Sequence, residues 1–172
     1  MNRILILSLI IFFIGVASII GIYSYIKRGE NISNKKVVQK IQIIVYQKGG
    51  KTVLNPLSPH FTELQKACEE LLISADDVLQ LIVSPETIYD IKKKELAVEI
   101  VYLKPEKFKV AYNELVIEAD HLLVQLPIKM GNRPSATIFY GRPYSSGPYG
   151  NTNTQKIWKI KELLQIMGVK AK

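Results

Sequence analysis

The chain has 172 residues, a formal net charge of +8 and one cysteine, Cys68. With no second cysteine, an intrachain disulfide and a cysteine-based zinc site are both excluded. The mixed charges and the β-branched content are those of a globular chain and not of a disordered one, and the cationic surplus favours anionic partners such as acidic lipid or an anionic polymer.

The run Ile4–Ile26 (ILILSLIIFFIGVASIIGIYSYI) carries no charged residue. As a helix it would be about 35 Å long, enough to cross a hydrocarbon core of about 30 Å with some tilt. Tyr23 and Tyr25 stand at its end, where amphipathic rings favour the interface, and Lys27 and Arg28 stop it. Val16-Ala17-Ser18 offers small residues for cleavage of a signal peptide, but the apolar run continues well beyond them. The reading adopted for residues 1–28 is therefore a single-pass transmembrane anchor with a basic flank. A buried core helix is the weaker alternative, because the run is long and uniformly apolar. Lys27, Arg28, Lys35, Lys36 and Lys40 follow the run against one acid, Glu30. That bias favours a cytoplasmic body by the positive-inside rule. A short N-terminal tail also suits a signal anchor that exports the body, where an anionic cell-wall polymer would be the partner. The same lysines would suit anionic headgroups.

Residues 29–36 (GENISNKK) are polar and aperiodic and read as a linker to one α+β domain over 37–172. Val37–Gln47 predicts a strand with Ile41, Ile43 and Val45 on one face, closed by the turn Lys48-Gly49-Gly50-Lys51 and a short return over Thr52–Leu54. Ser58 as cap and Pro59 at the first helical position predict a helix with the stripe Phe61, Leu64, Cys68, Leu71 and Leu72. On that stripe Cys68 faces the core. Val78–Val83 is apolar and ambiguous between strand and helix. Ser84-Pro85-Glu86 then starts a second helix, ending at Lys92-Lys93-Lys94, whose charges complement the helix dipole.

From Glu95 the period becomes that of strands: Leu96–Leu103, Val110–Glu118, Leu122–Ile128 and Ala136–Tyr140, with Ala119-Asp120-His121 closing a hairpin. Short connections predict an antiparallel meander. A last helix spans about Thr154 to Met167, with Ile157, Ile160, Leu163, Leu164 and Met167 inward and Gly168 ending it. The expected fold class is α+β, a mostly antiparallel sheet with helices packed on one face.

Catalytic signatures are absent. The sequence has no His-Glu-x-x-His helix, no Gly-x-Ser-x-Gly elbow and no phosphate-binding Gly-x-x-x-x-Gly-Lys. The two histidines, His60 and His121, fall in a first helical turn and in the expected hairpin. Glu99, Glu114, Glu118 and Asp120 are acids that only a fold would bring together. No metal site and no cofactor is expected.

The segment with distinct character is Gly141–Thr154, GRPYSSGPYGNTNT. It offers Arg142, Tyr144, Tyr149, Asn151 and Asn153, with Arg133 in the preceding turn, as a ligand or partner surface. Asn151, Thr152 or Asn153 would cap the last helix, whose amides attract anions. Tyrosine and arginine are also favoured interface anchors. Lysines spread along the chain, instead of gathered with aromatics on one element, weigh against nucleic acid. The sequence thus points to a membrane-held, non-catalytic binding or scaffolding body, with a small membrane-attached enzyme as the competing reading.

Overall fold

The computed structural model describes residues 41–127, 134–141, 144 and 148–169. The apolar run Ile4–Ile26, the basic flank Lys27, Arg28, Lys35, Lys36 and Lys40, the linker, Arg133 and Arg142 lie outside the described residues. Among the described residues no helix is long and apolar enough to cross a membrane.

The strands are β1 (Ile41–Gln47), β2 (Gly50–Val53), β3 (Asp77–Val78), β4 (Leu96–Lys109), β5 (Val116–Leu126), β6 (Ala136–Tyr140) and β7 (Tyr149–Asn151). The helices are α1 (Phe61–Ile73), α2 (Pro85–Lys94) and α3 (Thr154–Ile166). The strands form one seven-stranded sheet in the order β2-β1-β4-β5-β6-β7-β3, and each pairing is antiparallel. The α+β class and the antiparallel sheet are as the sequence predicts.

The first hairpin follows its turn chemistry. Lys48 and Gly49 both have positive φ (48° and 80°) and Gln47 pairs with Gly50, a two-residue turn whose twist matches that of the strands. Helix α1 starts at Phe61, two residues later than Ser58-Pro59 suggests, and His60 caps it without a side-chain bond. The cause is upstream. The Asn55 side chain accepts from Leu57 N–H, and Ser58 N–H donates to Asn55 O, so Ser58 is spent in a turn. Helix α2 starts as predicted, Ser84 Oγ accepting from Thr87 N–H with Pro85 at the first position.

The expected hairpin at Ala119-Asp120-His121 is not there. These residues lie within β5, and the reversal comes at Val110–Leu115, where Glu114 takes a positive φ of 55°. Proline lacks an N–H and is confined in sheets to edges and bulges, yet Pro105 lies within β4. Here β4 runs through it, because the β4–β5 register slips between the Val101–His121 and Glu106–Ala119 pairs and no ladder bond is required of Pro105. The slip also changes phase. Ile117 and Ala119 face the same core as Leu122 and Val124, so the alternation loses one step around Asp120 and His121 and re-aims both side chains.

That phase assigns each residue to one of two faces. On the first, Ile43, Val45, Val98, Ile100, Leu122, Val124 and Ile138 pack against the stripes of α1 and α3. On the second, Ala97, Leu123 and Phe139 pack against Ile88 and Ile91 of α2 and against Tyr144. The helices therefore cover both faces, which corrects the one-face expectation. The run Val78–Val83 resolves as the end of a two-residue edge strand followed by irregular chain that carries α2 to the second face.

Candidate functional site

The polar cluster with the most chemistry lies on the second face and centres on Glu99. The carboxylate sits mid-strand in β4, between Ile44 of β1 and Leu123 of β5, and is 5 % exposed. Its Oε1 accepts from Lys92 Nζ at 2.7 Å and from Tyr144 Oη at 2.6 Å, and its Oε2 accepts from Tyr46 Oη at 2.6 Å. Each donor comes from a different element: Lys92 from the last turn of α2, Tyr46 from β1, Tyr144 from the segment after β6. Lys92 Nζ also lies 5.1 Å from the Tyr46 ring centroid and 5.6 Å from that of Tyr144, a cation held between two aromatic faces.

The electrostatics follow from this geometry. Burial pushes the Glu99 carboxyl up, but three hydrogen bonds and the Lys92 charge outweigh it and hold its pKa below the ordinary value. The same pairing and its own burial push the Tyr46 phenol well above its usual range. Around neutral pH Glu99 is therefore a carboxylate and Tyr46 a neutral phenol. Such a carboxylate is a poor proton acceptor, because its lone pairs are taken and its basicity is depressed. What the arrangement does well is tie α2 and the segment carrying Tyr144 to the sheet. Tyr144 keeps a positive φ of 63° to reach Glu99, a conformation uncommon for a non-glycine residue, and Gly141 (φ 76°) precedes it.

His121 lies on the same face, its ring edge-on to that of Tyr144 with centroids 6.3 Å apart. It is 5 % exposed, and among the described residues neither ring nitrogen has a hydrogen-bond partner. Nδ1 comes within 3.2 Å of Asp120 Oδ1, but without the alignment of a hydrogen bond; the approach counts as an ion pair only if the ring is protonated. The Asp-His neighbours that read as a turn are thus one buried imidazole and one half-exposed carboxylate within a strand.

The described residues among those singled out between 141 and 154 do not converge. Tyr144 packs in the second-face core, whereas Tyr149 is buried in the first, stacked on Tyr140 with its hydroxyl accepting from Asn113 Nδ2. Asn151 is fully buried. Its Nδ2 donates to Leu71 O and Ser74 O at 2.8 and 3.0 Å, satisfying carbonyls that the end of α1 leaves open. Asn153 caps α3 by accepting from Lys156 N–H, as predicted. Thr152 donates from both its amide and its hydroxyl to Asp76. The described side chains of Asn151, Thr152 and Asn153 thus bond the end of α1, Asp76 and the start of α3, and Asn151 and Tyr149 are buried parts of the fold.

Sequence reasoning missed Lys92 and Tyr46 and left Glu99 among the scattered acids. The signal was a single carboxylate inside the apolar run LAVEIVYL. In a strand buried on both faces, such a charge must be paired. Among the described residues no group of three or more His, Cys, Asp or Glu side chains is placed to hold a metal ion.

The chain matches no protein-family model, no curated protein and no solved structure. Function rests on the geometry alone.

Proposed function

We propose that the chain is a single-pass membrane protein whose α+β body binds or scaffolds a partner and does not catalyse a reaction. The anchor is the uncharged run Ile4–Ile26. The observation that supports the non-catalytic reading is that Glu99, the most buried carboxylate among the described residues, accepts from a lysine and two tyrosines and has no second carboxylate among those residues bonded to it. Large apolar side chains are meanwhile left at the surface, Ile82 being 95 % exposed, as binding surfaces leave them.

The test is fractionation of cells expressing the full chain with a C-terminal tag. The tag should pellet with membranes, resist alkaline extraction and, if the basic flank sets the orientation, survive protease until the membrane is breached. Digestion from outside would place the body in the envelope and make an anionic wall polymer the partner class to try. A tag released by alkali would overturn the anchor. Turnover of a small substrate that is lost in Glu99→Gln but kept in a surface variant would overturn the non-catalytic reading.

A further inference from the structure

The three lysines that end α2 are not equivalent. Lys93 Nζ lies over the ring of Tyr89 at 5.4 Å and Lys94 pairs with Asp90 at 2.7 Å, so both stay on their own helix. Lys92 leaves it. Its Nζ reaches Glu99 of β4 and comes to rest near the rings of Tyr46 and Tyr144. A buried carboxylate flanked by two aromatic rings is an arrangement that binds an alkylammonium group out of water.

The walls of this cage hold one another without Lys92. Tyr46 Oη donates to Glu99 Oε2 and Tyr144 Oη to Glu99 Oε1, so each ring is tied to the carboxylate by a bond of its own. None of the three residues belongs to α2. The group that fills the cage is placed less firmly. Lys92 sits in the last turn of a ten-residue helix that buries only Ile88 and Ile91 of its own residues, and its side chain is 25 % exposed while Glu99 is buried. When α2 lifts, a buried anion is left between two rings, an unfavourable state until another cation arrives. The site suits a cation with an N–H to donate, because Oε1 accepts one from Lys92 at 2.7 Å. It also suits an apolar stem such as that of lysine. An ethanolamine headgroup carries a phosphate close to its nitrogen, which the Glu99 charge repels.

We propose that Glu99, Tyr46 and Tyr144 form a binding site for a lysine side chain of a protein partner, and that Lys92 fills this site until the incoming lysine displaces it. The site rests on the binding reading above, gives it a partner chemistry and makes no use of the anchor.

Lys92 is tethered, so it competes with any external lysine as an intramolecular ligand, and Lys92→Ala removes that competitor. With the full chain in detergent micelles, Nα-acetyl-lysine amide should bind Lys92→Ala about tenfold or more tightly than the unchanged chain. Acetylating the probe on Nε, or adding Glu99→Gln to Lys92→Ala, should abolish the gain. In the unchanged chain an excess of the charged probe should speed amide exchange over residues 88–91 several-fold, and the Nε-acetylated probe should not. Equal binding of the two probes to Lys92→Ala, or undiminished binding to the double variant, would overturn the site. Binding to Lys92→Ala with no change of exchange in the unchanged chain would overturn the displacement and leave Lys92 a fixed ion pair. Tighter binding of glycerophosphoethanolamine than of the lysine probe would overturn the protein partner in favour of a lipid headgroup. If Lys92→Ala does not fold, the exchange measurement on the unchanged chain decides alone. Loss of the site leaves the fractionation and turnover tests of the preceding section untouched, so the two readings fail separately.

Discussion

The two faces of the sheet are stabilised in different ways. The first face is covered by α1 and α3 and buries a large, mainly apolar set of side chains, from Ile43 to Leu164. The second is covered by the ten-residue α2 and by Tyr144. It buries far fewer side chains and is held in part by a carboxylate with three donors. Hydrophobic burial is non-directional and grows with area, whereas the Glu99 cluster fixes particular atoms of three elements at particular distances. The first face therefore supplies most of the stability, and the second fixes where α2 and Tyr144 sit.

The largest effect that would test this difference is a truncation on the first face. Leu71 of α1 is fully buried, and Leu71→Ala should cost about 2–5 kcal/mol in urea unfolding, the range for a large-to-small change in a packed core. A loss below 1 kcal/mol would mean that the first face is loosely packed, and the asymmetry would fail.

On the second face, Glu99→Ala leaves the Lys92 ammonium and two phenols without their acceptor. Lys92 keeps some access to water, its side chain being 25 % exposed, so the expected loss is about 1–3 kcal/mol, below the cost of stranding a fully buried charge. The pH dependence gives a second measure. Because folding lowers the pKa of Glu99, its contribution is complete above the ordinary glutamate pKa and is lost as pH falls through the lowered folded value. Glu99→Gln should therefore flatten the acid limb of the stability–pH curve. An unchanged acid limb would show that other carboxylates account for it.

His121 should respond with the opposite sign. Both of its nitrogens are buried without hydrogen bonds to the described residues, and an apolar side chain of similar volume removes that unmet demand. His121→Leu is expected to leave stability unchanged or raise it by up to about 1 kcal/mol. A clear loss in thermal unfolding would show that the imidazole is held by hydrogen bonds the fold alone does not supply.

The same asymmetry explains which parts could be read from the sequence. The first face follows from periodicity: the stripe Phe61–Leu72, the stripe Ile157–Leu164 and the alternation in β1 are local patterns, and the fold buries them as they predict. The second face depends on residues distant in sequence, Tyr46, Lys92, Glu99 and Tyr144, whose meeting requires the strand order and the path of the chain after β3. Lys92 read as one of three lysines answering a helix dipole, which is true of all three and specific to none. His121 was misplaced for a local reason. Ala119-Asp120-His121 reads as a turn between two apolar runs, whereas β5 passes through it, and the bulge beside it leaves little trace in a hydrophobic pattern. In the segment 141–154 composition alone does not separate ligand binding from capping, since the amides that suggest a ligand also satisfy open helix ends, as Asn151 and Asn153 do.

The smallest effect comes from the caps, and it compares the faces most directly because the two interactions are chemically alike. Ser84 Oγ accepts from Thr87 N–H at 3.2 Å on α2, and Asn153 Oδ1 accepts from Lys156 N–H at 3.1 Å on α3. Each alanine substitution should remove about 1 kcal/mol. Where that loss appears should differ. Helix α3 buries Ile157, Ile160, Leu163 and Leu164, so it unfolds with the whole domain, and Asn153→Ala should lower the thermal midpoint. Helix α2 buries only Ile88 and Ile91 among its own residues, so it belongs to a region that opens at lower cost than global unfolding. Ser84→Ala should speed amide exchange over residues 88–91 and barely move the midpoint. If Ser84→Ala lowers the midpoint as much as Asn153→Ala, the Glu99 cluster couples α2 to the rest of the domain more tightly than its apolar contacts imply, and the two faces unfold as one unit.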